Sequence, residues 1–151
     1  MINVATGVLA LTLRDYFIPG RINLVWGRYY STALLTKNRL PTPFGPGWSM
    51  PYLARLDIKK HQYRFIDGQG QVIIFNDPEQ QIERKQSLRN LSQFCSLHFS
   101  APYFIITRWP FKEKGHVLRY KFLLTEKSTQ LVSLEDLSGQ GLDLIYANKT
   151  A

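Results

Sequence analysis

Tyr52-Leu53-Ala54-Arg55-Leu56-Asp57-Ile58 places apolar side chains at its even positions, while the later odd positions carry Arg55 and Asp57. Successive side chains on a strand point to opposite faces, so this rhythm makes one apolar and one polar face rather than a helical stripe. The same period of two runs outward in both directions. Upstream, Ile22, Leu24, Trp26 and Tyr30 share one parity, with Asn23, Gly27 and Tyr29 in the other. Downstream, Leu118, Tyr120, Phe122 and Leu124 alternate with Arg119 and Lys121. The stretches are rich in Tyr, Phe, Trp, Ile and Val, which suit a pleated surface.

Turn chemistry divides these runs. Asp67-Gly68-Gln69-Gly70-Gln71 separates Tyr63–Ile66 from Val72–Phe75, and Asp136-Leu137-Ser138-Gly139-Gln140-Gly141 separates Leu131–Glu135 from Leu142–Tyr146. Glycine supplies the positive φ that tight connections demand. Lys112-Glu113-Lys114-Gly115 is placed as a turn between Tyr103–Trp109 and Val117–Leu124. With further strands at Val8–Leu13, Ile22–Tyr30 and Leu53–Ile58, the pattern predicts an all-β fold, mainly an antiparallel meander of hairpins.

Two stretches depart from the alternation. Pro41, Pro43, Pro46 and Pro51, with Gly45 and Gly47, keep Leu40 to Pro51 from helix or central strand. Phe44 and Trp48 lead us to expect an ordered loop with Trp48 substantially buried. Between Asp77 and Phe99, Leu88, Leu91, Cys95 and His98 fit one helical stripe. One short helix is therefore expected near 78–97, with Pro78 near its start and Asp77 capping it.

The 151 residues suit one domain, 1–151, or a portion of a larger one. A hydrophobic fraction of 44% against 20% charged residues argues for a folded chain. No stretch reaches the roughly 18 apolar residues of a membrane helix. Val8 to Leu13 is too short for a secretory signal, lacks a basic leader and ends at Arg14 and Asp15, so any export is expected to be non-classical. The net charge of +8, from 19 Lys+Arg and 11 Asp+Glu, favours acidic partners. The densest basic groups, Lys59-Lys60-His61, Arg84-Lys85 and Lys112-Glu113-Lys114, are each only two or three residues long. Such scattering suits solvated turns, so nucleic-acid binding is expected to be weak at most.

The residues that carry chemistry elsewhere are sparse here. Cys95 is the only cysteine and sits among Phe94, Leu97 and Phe99, which fits a small buried thiol. His61, His98 and His116 lack metal-motif spacing. Glu79 and Glu83 suit a solvated helix start, and Glu135 and Asp136, adjacent on a strand, point apart. Gly68/Gly70 and Gly139/Gly141 lack the strand–turn–helix setting of a phosphate cradle. No catalytic, cofactor-binding or metal-ligating residue is expected, and no enzyme. Trp26, Tyr29, Tyr30, Trp48 and Trp109, interleaved with Arg28 and Arg108, suit either base stacking or a sheet core; core packing is the expectation. The alternative is a cationic binding module for nucleic acid or an acidic protein.

A combination of motifs carries more than periodicity does. Asn3-Val4-Ala5-Thr6-Gly7 is followed by Asp15-Tyr16-Phe17-Ile18-Pro19-Gly20-Arg21, by Leu24-Val25-Trp26-Gly27-Arg28-Tyr29-Tyr30-Ser31 and by Phe44-Gly45-Pro46-Gly47-Trp48-Ser49. That order resembles the domain near the N-terminal end of Rhs/YD-repeat shells. Tyr63-Arg64-Phe65-Ile66-Asp67-Gly68-Gln69-Gly70 is similar to the family's repeat rhythm of aromatic, Asp and Gly at hairpin tips. Leu134-Glu135-Asp136 through Gly139, with Leu142 and Tyr146, resembles a later copy. The resemblance is strong over about the first half, weak from Asp77 to Phe99 and looser to the end. The positions that carry it are Gly7, Pro19, Gly20, Tyr29, Gly45, Pro46, Gly47, Trp48, Asp67 and Gly70.

The resemblance implies a non-catalytic structural role. In that family β-hairpins coil into a cocoon that encloses a secreted toxin domain, in type VI secretion, interbacterial competition or insecticidal complexes. The implied partner is protein: the rest of such a shell or its cargo. The implied location is the bacterial cytoplasm before non-classical secretion, and outside the cell as part of a full effector. A stretch of 151 residues is far short of a cocoon, and the sequence carries no recognisable spike-binding domain, self-cleavage motif or toxin domain. The expectation is a fragment, a cleaved piece or a remnant.

Overall fold

The period-two stretches form strands, and their antiparallel pairing makes the chain mostly β. The computed structural model describes residues 1–37, 44–110, 117–126 and 128–146. Leu40 to Pro43, the Lys112–Gly115 turn and His116 lie outside the described residues. The chain divides into two compact units, Met1–Ala54 with Ile66–Val72, and Arg55–Phe65 with Ile73–Ala151.

The first unit is built on a hairpin of β1 (Ala10–Ile18) and β2 (Leu24–Ser31), with the short β3 (Trp48–Ser49) on the far side of β2. The β1 strand starts two residues later than Val8 and runs five past Leu13, because the pairing with β2 continues to Ile18↔Leu24. A register shift between Arg14 and Tyr16 leaves Asp15 as the extra residue of a bulge. Gly27 lies opposite Arg14, and a Cβ there would stand 2.8 Å from the Leu13 carbonyl oxygen. After β2 come α1 (Leu34–Lys37) and a 3₁₀ turn over Pro51–Leu53. Leu34, Met50, Ala54 and Ile66 are buried.

In the second unit, β7 (Leu88–Asn90), β8 (Cys95–Ser100), β9 (Tyr103–Arg108), β10 (Leu118–Leu124), β11 (Thr129–Glu135) and β12 (Gly141–Asp143) form one six-stranded sheet. Each strand pairs antiparallel with its neighbour in sequence. This is the meander that local turns dictate. A further sheet comprises β4 (Arg55–Lys59), β5 (Gln62–Ile66) and β6 (Val72–Asn76). Phe65 on β5 is fully buried, its ring 5.1 Å from Tyr120 and 6.0 Å from Phe122 on β10. Tyr63 meets Phe104 at 5.7 Å, and Leu97, Ile106 and Leu131 complete the core. Residues two apart on β5 thus face the same layer, as the alternation requires.

The helix expected near 78–97 does not form. Asp77 does cap, its carboxylate accepting from the Gln81 and Ile82 amides at 2.6 and 3.1 Å, but the chain beyond it, through Lys85, is a run of turns. Gln80 and Lys85 take positive φ (56° and 61°), a conformation outside a right-handed helix. The apparent stripe divides between two strands. Leu88 pairs with Leu97 across β7 and β8, while Leu91 lies on a 3₁₀ turn between them and is 80% exposed. Pairing of Cys95–Ser100 with Tyr103–Arg108 satisfies this backbone across strands, and that tertiary gain outweighs a stripe of four side chains.

The aromatic core also differs from expectation. Trp26 and Trp109 are each 44% exposed, and Tyr29, Tyr30 and Trp48 are half-buried. Among the described residues the buried rings are Phe65, Phe75, Phe104 and Phe122. The Trp and Tyr side chains, with polar edges, stay at the rim, and the rings that are enclosed are phenylalanines.

Candidate functional site

The positions singled out by motif converge in the first unit, and backbone proximity is what joins them. Gly47 has φ +80°, and a Cβ there would lie 2.6 Å from the Tyr30 ring. Its carbonyl accepts the Ser31 amide at 2.9 Å, and β3 follows at once, pairing Trp48 with Tyr30 and Ser49 with Tyr29. Gly45 has φ +91°, and its carbonyl accepts the Trp48 amide. Pro46 between them is exposed. The loop is therefore held by its own main chain, with Trp48 half-buried rather than substantially buried.

Trp48 closes a small stack. Its ring centroid is 5.2 Å from that of Tyr30, and the Arg28 guanidinium stands 5.7 Å from Trp48 and 5.9 Å from Phe44. The Asp15 bulge anchors that guanidinium, accepting from Nε and Nη2 at 3.0 Å each. The hydrogen bond and charge of Asp15 raise the Arg28 pKa above its ordinary value, against a small opposing effect of burial. Trp26 leans on Tyr52 at 6.2 Å, and the Tyr52 hydroxyl accepts the Val25 amide; burial raises that phenol's pKa while the bond works against it.

The tip of the β5–β6 hairpin belongs to the same cluster. The Ser49 hydroxyl donates to the Gly68 carbonyl. A Cβ on Gly68 would collide with Pro51 Cα, and one on Gly70 would overlap the Leu34 side chain. Backbone atoms leave room for nothing larger than glycine at 68, and at 70 the positive φ adds to the crowding by Leu34. Asp67, itself buried, organises the tip: its Oδ1 accepts the Gln69 and Gln71 amides at 2.9 Å each, and Gly70 takes φ +81°. A carboxylate accepting main-chain amides replaces the water that a buried turn excludes.

Of the remaining motif positions, Gly7, Pro19 and Gly20 lie apart from this cluster, and Tyr29 borders it. Gly7, φ +68°, closes a turn whose amide donates to the Asn3 carbonyl, with open space where a side chain would go. Pro19 and Gly20 form the exposed β1–β2 connection, where the Gly20 amide donates to Asn23 Oδ1. Tyr29 sits on β2 between Thr12 and Ser49.

In the second unit Asp136 repeats the Asp67 arrangement. Its Oδ1 accepts the Ser138 and Gln140 amides at 2.8 and 3.1 Å, and Gly139 has φ +81°. The two tips differ in their surroundings. No heavy atom outside its immediate chain neighbours lies within 4 Å of a Cβ placed on Gly139, and Leu137, at the place of Gly68, is 61% exposed. The similarity of rhythm was legible in sequence; the matching bonds and the contrast in cover were not.

The titratable groups prominent in the sequence do not gather. Cys95 is buried and its thiol donates to the Gln93 carbonyl at 3.4 Å. His61 lies in the exposed β4–β5 turn, and His98 on β8 has its pKa lowered by burial first and the Arg119 charge second. Glu79 and Glu83 are exposed on the turns after Asp77, and Glu135 pairs with Arg119 at 3.4 Å. Lys59 is exposed at the end of β4, and Lys60, Arg84 and Lys85 are exposed at turns. Among the described residues no three His, Cys, Asp or Glu side chains group as metal ligands, and no helix is long and apolar enough to cross a membrane.

Residues 1–75 match a family described as a domain of unknown function (DUF6531). That span contains all ten motif positions and the Asp67 tip, and it ends before the Asp136 tip. No curated protein matches the chain.

Proposed function

We propose that this chain is a non-catalytic structural module, the early part of an Rhs/YD-repeat type β-shell that encloses a secreted toxin domain. The reading rests on how the motif residues are used. Gly47, Gly68 and Gly70 permit close approach of backbone and side chains, Ser49 ties one loop to another, and Asp67 satisfies a turn. A shell assembled from hairpins requires such fixed tips. The open edges support it further. Among the described residues β1 is paired on one side only, nine residues long, with Leu11, Tyr16, Phe17 and Ile18 exposed. A long apolar edge invites pairing with another strand, and a continuous shell supplies one. The partner is then protein, the remaining shell or its cargo, with the module made in the bacterial cytoplasm and leaving by a non-classical route.

Co-expression with an Rhs-type shell polypeptide lacking this region tests the reading. A stable complex is expected, lost when Phe17→Lys puts a charge on the exposed β1 edge. DNA titration tests the cationic alternative. Scattered Lys and Arg should bind weakly and lose affinity steeply between about 50 and 200 mM salt. No shell complex, together with sub-micromolar DNA binding that survives high salt, would replace the structural reading with the cationic one.

A further inference from the structure

An apolar recess in the second unit has the features of a socket. Leu91, Phe94 and Trp109 wall it, Cys95 forms part of its floor, and its volume is about 500 Å³. Leu91 is 80% exposed, while Phe94 and Trp109 are each 44% exposed, so three large apolar side chains crowd one spot of surface. Apolar side chains exposed together, rather than scattered singly, are a feature of recognition sites.

The walls are held in place without a ligand. Asn90 Oδ1 accepts from the Gln93 amide and the Ser92 hydroxyl, and its Nδ2 donates to the Ile74 carbonyl at 3.0 Å. Phe94 has φ 53° and ψ 45°, the left-handed region that a residue with a Cβ seldom adopts. Its carbonyl accepts the Trp109 amide at 2.9 Å, which fixes the two aromatic walls relative to each other. Strained backbone held by its surroundings is common at ligand clamps.

Charge identifies the occupant. Arg89 is the one charged residue lining the recess, it is exposed, and it has no ion-pair partner among the described residues. An apolar group entering beside it satisfies the site best when a carboxylate accompanies it. We infer that this recess receives an aromatic side chain flanked by a carboxylate on an extended segment of a partner protein. The inference rests on the reading that the partner is protein and adds where and by what chemistry it is held.

The test titrates acetyl-Phe-Glu-amide, and its neutral counterpart acetyl-Phe-Gln-amide, into the isotopically labelled full chain followed by NMR. Saturable shifts are expected at the Trp109 indole N–H and at the Leu91 and Phe94 amides. The Glu peptide should bind a few-fold tighter, about what one exposed charge pair supplies. Arg89→Gln should abolish that difference and leave the Gln peptide's affinity unchanged. Equal affinity of the two peptides, no saturable shift, or tighter binding of octanoate at the same signals overturns the socket. Those results leave the shell complex, measured separately, free to stand or fall by itself.

Discussion

Asp67 and Asp136 hold two hairpin tips with the same bonds. Each carboxylate accepts the amides two and four residues ahead, each Asp amide donates to the carbonyl four ahead, and each Asp carbonyl accepts the amide of a glycine at φ +81°. The recurrence makes the Asp-x-x-Gly turn a unit of construction, used once in each compact part of the chain.

Replacing either carboxylate leaves main-chain amides without an acceptor at the tip. Asp67→Ala and Asp136→Ala should each cost about 1–3 kcal/mol in chemical denaturation. The amides that each carboxylate accepts belong to its own turn, so the double variant should be additive within about 0.5 kcal/mol. A loss below about 0.5 kcal/mol in both single variants would mean water replaces the carboxylate freely.

Equivalent positions on the two tips should respond oppositely. Gly68→Ala forces a Cβ toward Pro51 Cα, which cannot yield as a side-chain end can, and should cost roughly 1–3 kcal/mol. Leu137→Ala, at the exposed counterpart, should stay within about 0.5 kcal/mol. Thermal melts of both variants compare them directly, and an unaffected Gly68→Ala protein would contradict the packed tip.

Trp48 is half-buried in its stack, so Trp48→Ala should cost about 2 kcal/mol, less than the ~3–5 kcal/mol of a fully buried ring. Trp48→Phe should recover much of the loss, because it keeps a ring against Tyr30. Equilibrium unfolding in urea separates the two, and equal destabilisation by both would assign the effect to the indole alone.

The His98 pKa is lowered in the folded chain by burial and by Arg119. The unfolded chain therefore takes up a proton first as the medium acidifies through about pH 6.5. The stability contribution is complete above that value and drains away as pH falls toward the folded-state pKa. His98→Gln should flatten stability between about pH 7.5 and 5.5 relative to the parent. Unchanged pH dependence in the variant would assign the slope to other groups.

Antiparallel β structure, and roughly where its strands lie, is already written in the order of the residues. Alternation in Tyr63–Ile66 or Leu118–Leu124 is a local property, since adjacent side chains of a strand face opposite ways whatever the partner. The tips are local too, because an Asp-x-x-Gly turn closes on bonds within five residues. Everything else waited on long-range assembly. Leu88, Leu91, Cys95 and His98 satisfy a helical period, and it is the pairing with Tyr103–Arg108 that makes Cys95–Ser100 a strand. Which rings would be core was equally hidden: Phe65 is enclosed by residues 55 and 57 positions away, whereas Trp26 is left at a rim. The need for glycine at 68 comes from Pro51, 17 residues earlier, and the socket around Phe94 comes from Trp109 arriving on another segment. Local periodicity carries information about direction, and burial depends on what the rest of the chain brings near, which is fixed only once the sheets have assembled.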